Sequence, residues 1–174
     1  MNLAIPAAPA EAVADDVLEQ LMVERYPDMV RLAFLILHDL PEAEDATQLA
    51  LERAWRSRAQ MLSADSGLFW LRRIVVREAL RARSSHWRRL RSPLHLVEIE
   101  PPNDEHTRPD HAARLDMIRA FKRLSPEQSA VVALHHYFAC PVAEVAEMLG
   151  IPPETVRSRL RLAMRKLREE LQDA

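Results

Sequence analysis

The sequence is poor in glycine, cysteine, aromatics and long apolar runs. Its 174 residues include two glycines, one cysteine and few aromatics. Two glycines leave no phosphate-cradling glycine loop and do not suit a turn-rich β fold. With Cys140 as the lone cysteine no intramolecular disulfide can form, and a reducing, cytoplasmic compartment is expected. No apolar run approaches the roughly 20 residues that a membrane-spanning helix needs. The N-terminus lacks a basic segment followed by a sustained apolar core, so no secretory signal is expected.

What is abundant is Ala, Leu, Arg and Glu, which favours an all-α protein. The formal net charge of −2 conceals segregation of charge. Residues 72–91 hold eight arginines and a single acid, Glu78, and the stretch after them is acidic. Local basic patches, rather than whole-chain charge, are the guide to nucleic-acid binding.

The C-terminal part is the most informative. Val145, Ala146 and Leu149 share one face of a predicted helix. Gly150 stands where a helix end needs a left-handed residue, and Ile151 plugs the turn. Pro153 opens a second helix, where its missing N–H costs nothing. Val156, Leu160, Ala163 and Leu167 form the buried stripe of that helix. Ala146, Gly150 and Val156 have the small–turn–apolar spacing of a DNA-binding helix-turn-helix. The opposite face carries Ser158, Arg161, Leu162 and Arg165, with Arg157 and Arg168 on one flank and Arg159 and Lys166 on the other. Arginine can hold guanine bidentately, and both basic residues neutralise phosphates. A solvated basic face on a plain helical hairpin is the bland counterpart. The turn spacing, proline entry and one-sided charge together argue against it.

In chain order, residues 1–14 read as a flexible Ala/Pro-rich tail. A first helix is expected over 15–38, bent near Pro27. Asp39 and Pro41 mark a capped restart, and the second helix runs over 41–60. On it Asp45, Gln48 and Glu52 line a polar ridge able to dock a partner helix, or simply to be solvated. Residues 61–67 read as a polar loop. A third, arginine-rich helix follows, with Phe69 and Trp70 most simply as core aromatics, one of which could instead stack on an unpaired base, and Arg72, Arg73, Arg77 and Arg81 around it. Trp87 either pins the following segment or stacks on a base. Residues 92–111 are proline-broken and acidic, and read as a linker. A short helix over 112–123 and a capping box at Ser125 and Gln128 support the helix-turn-helix. The expected architecture is thus two small helical domains, 15–91 and 112–174, joined by a flexible linker.

Catalysis is not expected, since no nucleophile–base pair is visible. His135, His136 and Cys140 are the strongest metal candidates, but adjacent histidines cannot share a helix face and no carboxylate lies at ligand spacing. No cofactor is expected.

Both halves together resemble a sigma factor of bacterial RNA polymerase, in the small extracytoplasmic-function (ECF) group. The residues carrying the resemblance begin with Ala43-Glu44-Asp45 with Gln48 and with Trp70-Leu71 ahead of the arginine-rich helix. They continue with Leu124-Ser125-Pro126-Glu127-Gln128, Glu144-Val145-Ala146, Leu149-Gly150, and Thr155-Val156-Arg157-Ser158-Arg159-Leu160. The resemblance implies that the ridge of Asp45, Gln48 and Glu52 binds core RNA polymerase. It implies that the loop and the basic helix with Arg72, Arg73, Arg77 and Arg81 open and hold the −10 element. It implies that Thr155, Arg157, Ser158 and Arg161 read the −35 element of promoter DNA, a face that Arg165 and Lys166 extend. An anti-sigma factor is implied as a further partner. The chain departs from the family pattern at Arg77 and Leu80, at Leu162 and Met164, and at Pro152, which replaces a side-chain cap. A dimeric helix-turn-helix regulator with an N-terminal sensing domain is the alternative, and it leaves the 72–91 basic patch unexplained.

Overall fold

This computed structural model describes residues 10–61, 64–89 and 111–172, with side chains at 15–61, 67–83 and 116–172. Of the expected tail (1–14) only 1–9 lies outside the described residues, since 10–14 already belong to the first helix; the expected linker (92–111) lies outside them up to 110, as does the side chain of Trp87. Every described element is helical.

The N-terminal half is a three-helix bundle. Helix α1, Ala10–Leu37, runs unbroken through Pro27. It buries Leu18, Met29, Leu32, Ala33, Ile36 and Leu37. His38 ends it with a left-handed φ of 60°, and Arg83 Nη1 donates to the Leu37 carbonyl at 3.0 Å, satisfying a helix-end acceptor. Helix α2, Leu40–Arg56, starts as its sequence predicts, with the Glu42 N–H donating to Asp39 Oδ1 at 2.9 Å. Its inner face is Ala43, Ala46, Ala50 and Ala54, all buried, and these small side chains let α2 lie close to its neighbours. A short 3₁₀ turn, Arg58–Gln60, follows. Helix α3, Ala64–Arg89, buries Leu71, Val75, Val76 and Ala79. It begins inside the expected 61–67 loop. Gly67 is buried in its first turn because Leu21 of α1 comes within 3.2 Å of where a Cβ would sit. The glycine marks close helix packing rather than a loop.

The C-terminal half holds α4, His111–Lys122, α5, Pro126–Val132, α6, Val142–Leu149, and α7, Pro153–Gln172. The capping box at α5 forms in full, with Ser125 N–H on Gln128 Oε1 at 3.0 Å and Gln128 N–H on Ser125 Oγ at 3.2 Å. Between α6 and α7, Gly150 has φ 66°, Ile151 N–H donates to the Ala146 carbonyl and Gly150 N–H to that of Glu147. This is the paired helix-end bonding that only a left-handed residue allows. Val156, Leu160, Ala163 and Leu167 form the buried stripe of α7.

Between α5 and α6 lies a wide π-type turn, Ala133–Tyr137, closed by Phe138 N–H on the Ala133 carbonyl at 3.0 Å. No residue in the sequence announces it. Beyond it Ala139 is exposed at φ 53°, a conformation unfavourable for a residue with a Cβ. Ala139→Gly relieves that strain and gives back part of the gain as unfolded-state entropy. The expected net is about 0.5–1 kcal/mol of added stability, or a Tm rise of about 1–4 °C in thermal denaturation.

The two halves are packed against each other rather than held apart. Helix α5 lies on α1, and α6 lies on α3.

Candidate nucleic-acid interface

Helix α7 presents its outer face to solvent. Arg157, Ser158, Arg161 and Arg165 are exposed, and Leu162 stands 41% exposed among them. The buried stripe fixes this orientation, because turning the basic residues inward would bury unpaired guanidinium groups. Arg157 is ion-paired with Glu154, and Arg165 lies 3.8 Å from Glu169. Exposed pairs of this kind are worth about 0–1 kcal/mol, so a phosphate or base edge can displace them. Thr155 is half-buried at the start of the helix, beside Pro152, whose carbonyl takes the Thr155 N–H at 2.9 Å. That bond supplies the helix start without a side-chain cap. The structure sets Lys166 apart from the others, since its Nζ turns back to Gln128 Oε1 on α5 at 3.2 Å.

The second basic surface is a cleft of about 660 Å³ between α2 and α3. Arg73, Arg77 and Arg81 line it from α3, and so do Arg53, Arg56 and Gln60 from the α2 side. Five arginines face one carboxylate there, Glu78. Glu78 is only 6% exposed and lies 2.8 Å from Arg53, with Arg81 as its second partner. Partial burial, then the charges of Arg73 and Arg81, push the Arg77 guanidinium below its ordinary value. The surplus of positive charge suits a polyanion. Trp70 is half-buried, packs against the core and lines the same cleft. Phe69 packs against the core. Arg72 sits away from the cleft, with its Nη1 on Cys140 Sγ at 3.7 Å. The sequence does not identify Arg53 and Arg56 as part of this surface. They fall on a helix read for a different role, and the cleft exists only once α2 and α3 are side by side.

Asp45, Gln48 and Glu52 are all exposed on the face of α2 opposite its alanine stripe. Glu52 accepts from Arg56 at 2.8 Å, tying this ridge to the cleft. Leu49 lies between them, 51% exposed, an apolar surface that the polar pattern concealed.

His135, His136 and Cys140 do not form a ligand set. His135 Nδ1 is 2.8 Å from the Cys140 carbonyl oxygen. Burial pushes the Cys140 thiol up, against the opposing pull of Arg72. No group of three metal-ligating side chains occurs among the described residues. Among those residues, no helix is long and apolar enough to cross a membrane.

Comparison with known proteins matches both halves. Residues 21–89 fit the family model described as Sigma-70 region 2, and residues 114–167 fit Sigma-70, region 4. The chain is 32% identical over 162 residues to an RNA polymerase sigma-E factor of Streptomyces coelicolor, covering 88% of this chain and 85% of that protein. It is 30% identical over 171 residues to the ECF RNA polymerase sigma factor SigL of Mycobacterium tuberculosis, covering 96% and 94%. Among solved structures it resembles the sigma factor RpoE, in complex with the anti-sigma factor NepR, from Bartonella quintana. The TM-score is 0.75 at 22% identity, covering 88% of this chain and 96% of that one.

Proposed function

We propose how the surfaces of this chain divide their work on one premise: the chain belongs to the RNA polymerase sigma factor family, in its ECF group. It binds core RNA polymerase and directs initiation at promoters with −10 and −35 elements. The observation that carries the division is the α7 face, where exposed arginines stand opposite a buried stripe in the half that matches region 4. That face reads the −35 element through the major groove. Arg157 and Arg161 supply the guanine contacts, and Ser158 and Thr155 supply polar ones. Leu162 offers the apolar surface that a thymine methyl accepts. The cleft between α2 and α3 holds the −10 element, with Arg73, Arg77 and Arg81 against the backbone and Trp70 as a base platform. The dimeric-regulator reading explains neither half-match and is set aside. No catalytic role is assigned, and the protein acts with the polymerase in the cytoplasm.

The ridge of Asp45, Gln48 and Glu52, with Leu49 at its centre, is the docking surface for core polymerase. Gln48→Ala combined with Glu52→Ala is expected to weaken core binding by about tenfold or more, because interface variants act mainly on dissociation. Competition binding against a labelled sigma subunit measures this. Unchanged affinity removes the ridge from the account. An anti-sigma factor is a further expected partner, since the likeness includes a sigma factor solved with one. A protein with an acidic face complements the basic cleft.

A further inference from the structure

Glu78 is a buried carboxylate in the middle of an arginine-rich helix. Val75, one turn before it on α3, and Ala79, next to it, belong to the core. Taking a carboxylate out of water is costly unless cations are brought to it. Here two are. Arg53 Nη1, from α2, lies 2.8 Å from Glu78 Oε1. Arg81 Nη1, one turn further along α3, bonds the same oxygen. The carboxylate therefore ties α2 to α3 at the wall of the basic cleft.

Stability does not account for this arrangement. An apolar residue of similar volume often serves such a site as well as a paired charge does. Both arginine partners are exposed, where ion pairs contribute little. Affinity for a polyanion does not account for it either, because the carboxylate opposes the cleft's five arginines. What the two bonds do is fix direction. An arginine side chain carries much rotamer entropy, and its five N–H donors sit in a rigid fork. One donor on Glu78 leaves the others for an anion in the cleft. Both forks are ordered before DNA arrives, so that ordering them does not oppose binding.

We propose that Glu78 is the positioning residue of this cleft: through one carboxylate oxygen it aims Arg53 and Arg81 at the backbone of the −10 strand, giving up non-specific affinity for selectivity. The proposal rests on the reading of the cleft as the −10 site. Arg53 thereby becomes a DNA contact from α2, facing Arg73 and Arg77 on α3. Backbone contacts carry no sequence information themselves, but they set the register in which bases are read. A strand held in one register presents its bases to Trp70, whereas loosely held arginines grip any strand in any register.

The test uses polymerase reconstituted from core enzyme and the full chain. The probes are a labelled promoter fragment recovered from chain-dependent run-off transcription and the same fragment with its −10 element scrambled. Fluorescence anisotropy reads both across a range of salt. Glu78→Gln keeps the volume and removes the charge, and thermal denaturation checks that the fold is kept. Its preference for the intact element is expected to fall about tenfold. Its affinity for the scrambled fragment is expected to rise, with a log–log salt slope steeper by up to ~0.9. Arg53→Ala, at an exposed position, is expected to lower the preference as well. The combined variant should lose less than the sum of the two, because Glu78 acts through Arg53. Equal losses of affinity for both fragments in Glu78→Gln make its role purely structural and overturn the proposal. So does a wild-type preference in Arg53→Ala, or strict additivity. Failure of the cleft reading has a different signature, read from Arg73→Ala combined with Arg77→Ala. An unchanged preference there removes the −10 strand from the cleft, and the proposal with it. A lowered preference there beside a wild-type preference in Glu78→Gln overturns the positioning role alone.

Discussion

Arg157→Ala combined with Arg161→Ala is expected to abolish −35-dependent promoter choice while core polymerase binding stays at the wild-type level. Both side chains are exposed on α7, whose buried stripe of Val156, Leu160, Ala163 and Leu167 is untouched by the change. The helix therefore keeps its place, and the loss falls on DNA contacts. A good bidentate contact to a base pair is worth about 1–3 kcal/mol of discrimination. Two such contacts give at least about 2 kcal/mol, or roughly a thirtyfold loss of preference for the intact element over a scrambled one. Arg157 is ion-paired with Glu154, which holds its charge at the start of the helix, and DNA is expected to replace that carboxylate on binding. Binding of reconstituted polymerase to intact and −35-scrambled promoter duplexes measures the ratio. A ratio unchanged from wild type takes the reading role away from this pair of arginines.

Acidification from neutral pH to pH 5 costs the fold about 2 kcal/mol through His38 alone. Burial, then the charges of Arg83 and Lys122, lower the His38 pKa from 6.5 to about 4. The imidazole lies edge-on to Phe121 at 6.4 Å, in the seam where α1 meets the C-terminal half. The folded state thus keeps His38 neutral, while the unfolded chain takes up a proton below about pH 6.5. The stabilising contribution is complete above pH 6.5 and is lost as pH falls towards 4. His38→Asn removes the titration and keeps a residue tolerant of the left-handed backbone there. Urea unfolding between pH 7.5 and 5 is expected to show a steeper loss for wild type than for His38→Asn. The difference between the two proteins excludes the carboxylates common to both. Parallel slopes mean that His38 does not carry the effect.

The features legible in the sequence were those with a local cause. Asp39, the Ser125–Gln128 box and Gly150 act within one helical turn, and each stands where its residue type predicts. The α7 face was legible for the same reason, since one helix defines both the stripe and its opposite. Features arising between helices were not legible. Gly67 resembles a loop signal until Leu21 is brought against it. Arg53 and Arg56 join the α3 arginines only across the cleft, and Arg72 is turned towards Cys140 by a helix pairing with no sequence signature. Lys166 fits the basic flank by spacing, yet Gln128 draws it aside from a different helix. The wide turn at Ala133–Tyr137 carries no proline, glycine or cap to announce it.

The most direct test of the central claim is run-off transcription with purified core polymerase on a pool of genomic promoter fragments, with and without this chain. The account predicts transcripts that depend on the chain and start on a subset of fragments sharing two spaced elements. No chain-dependent initiation, together with no retention of the chain on core polymerase at low salt, would contradict it.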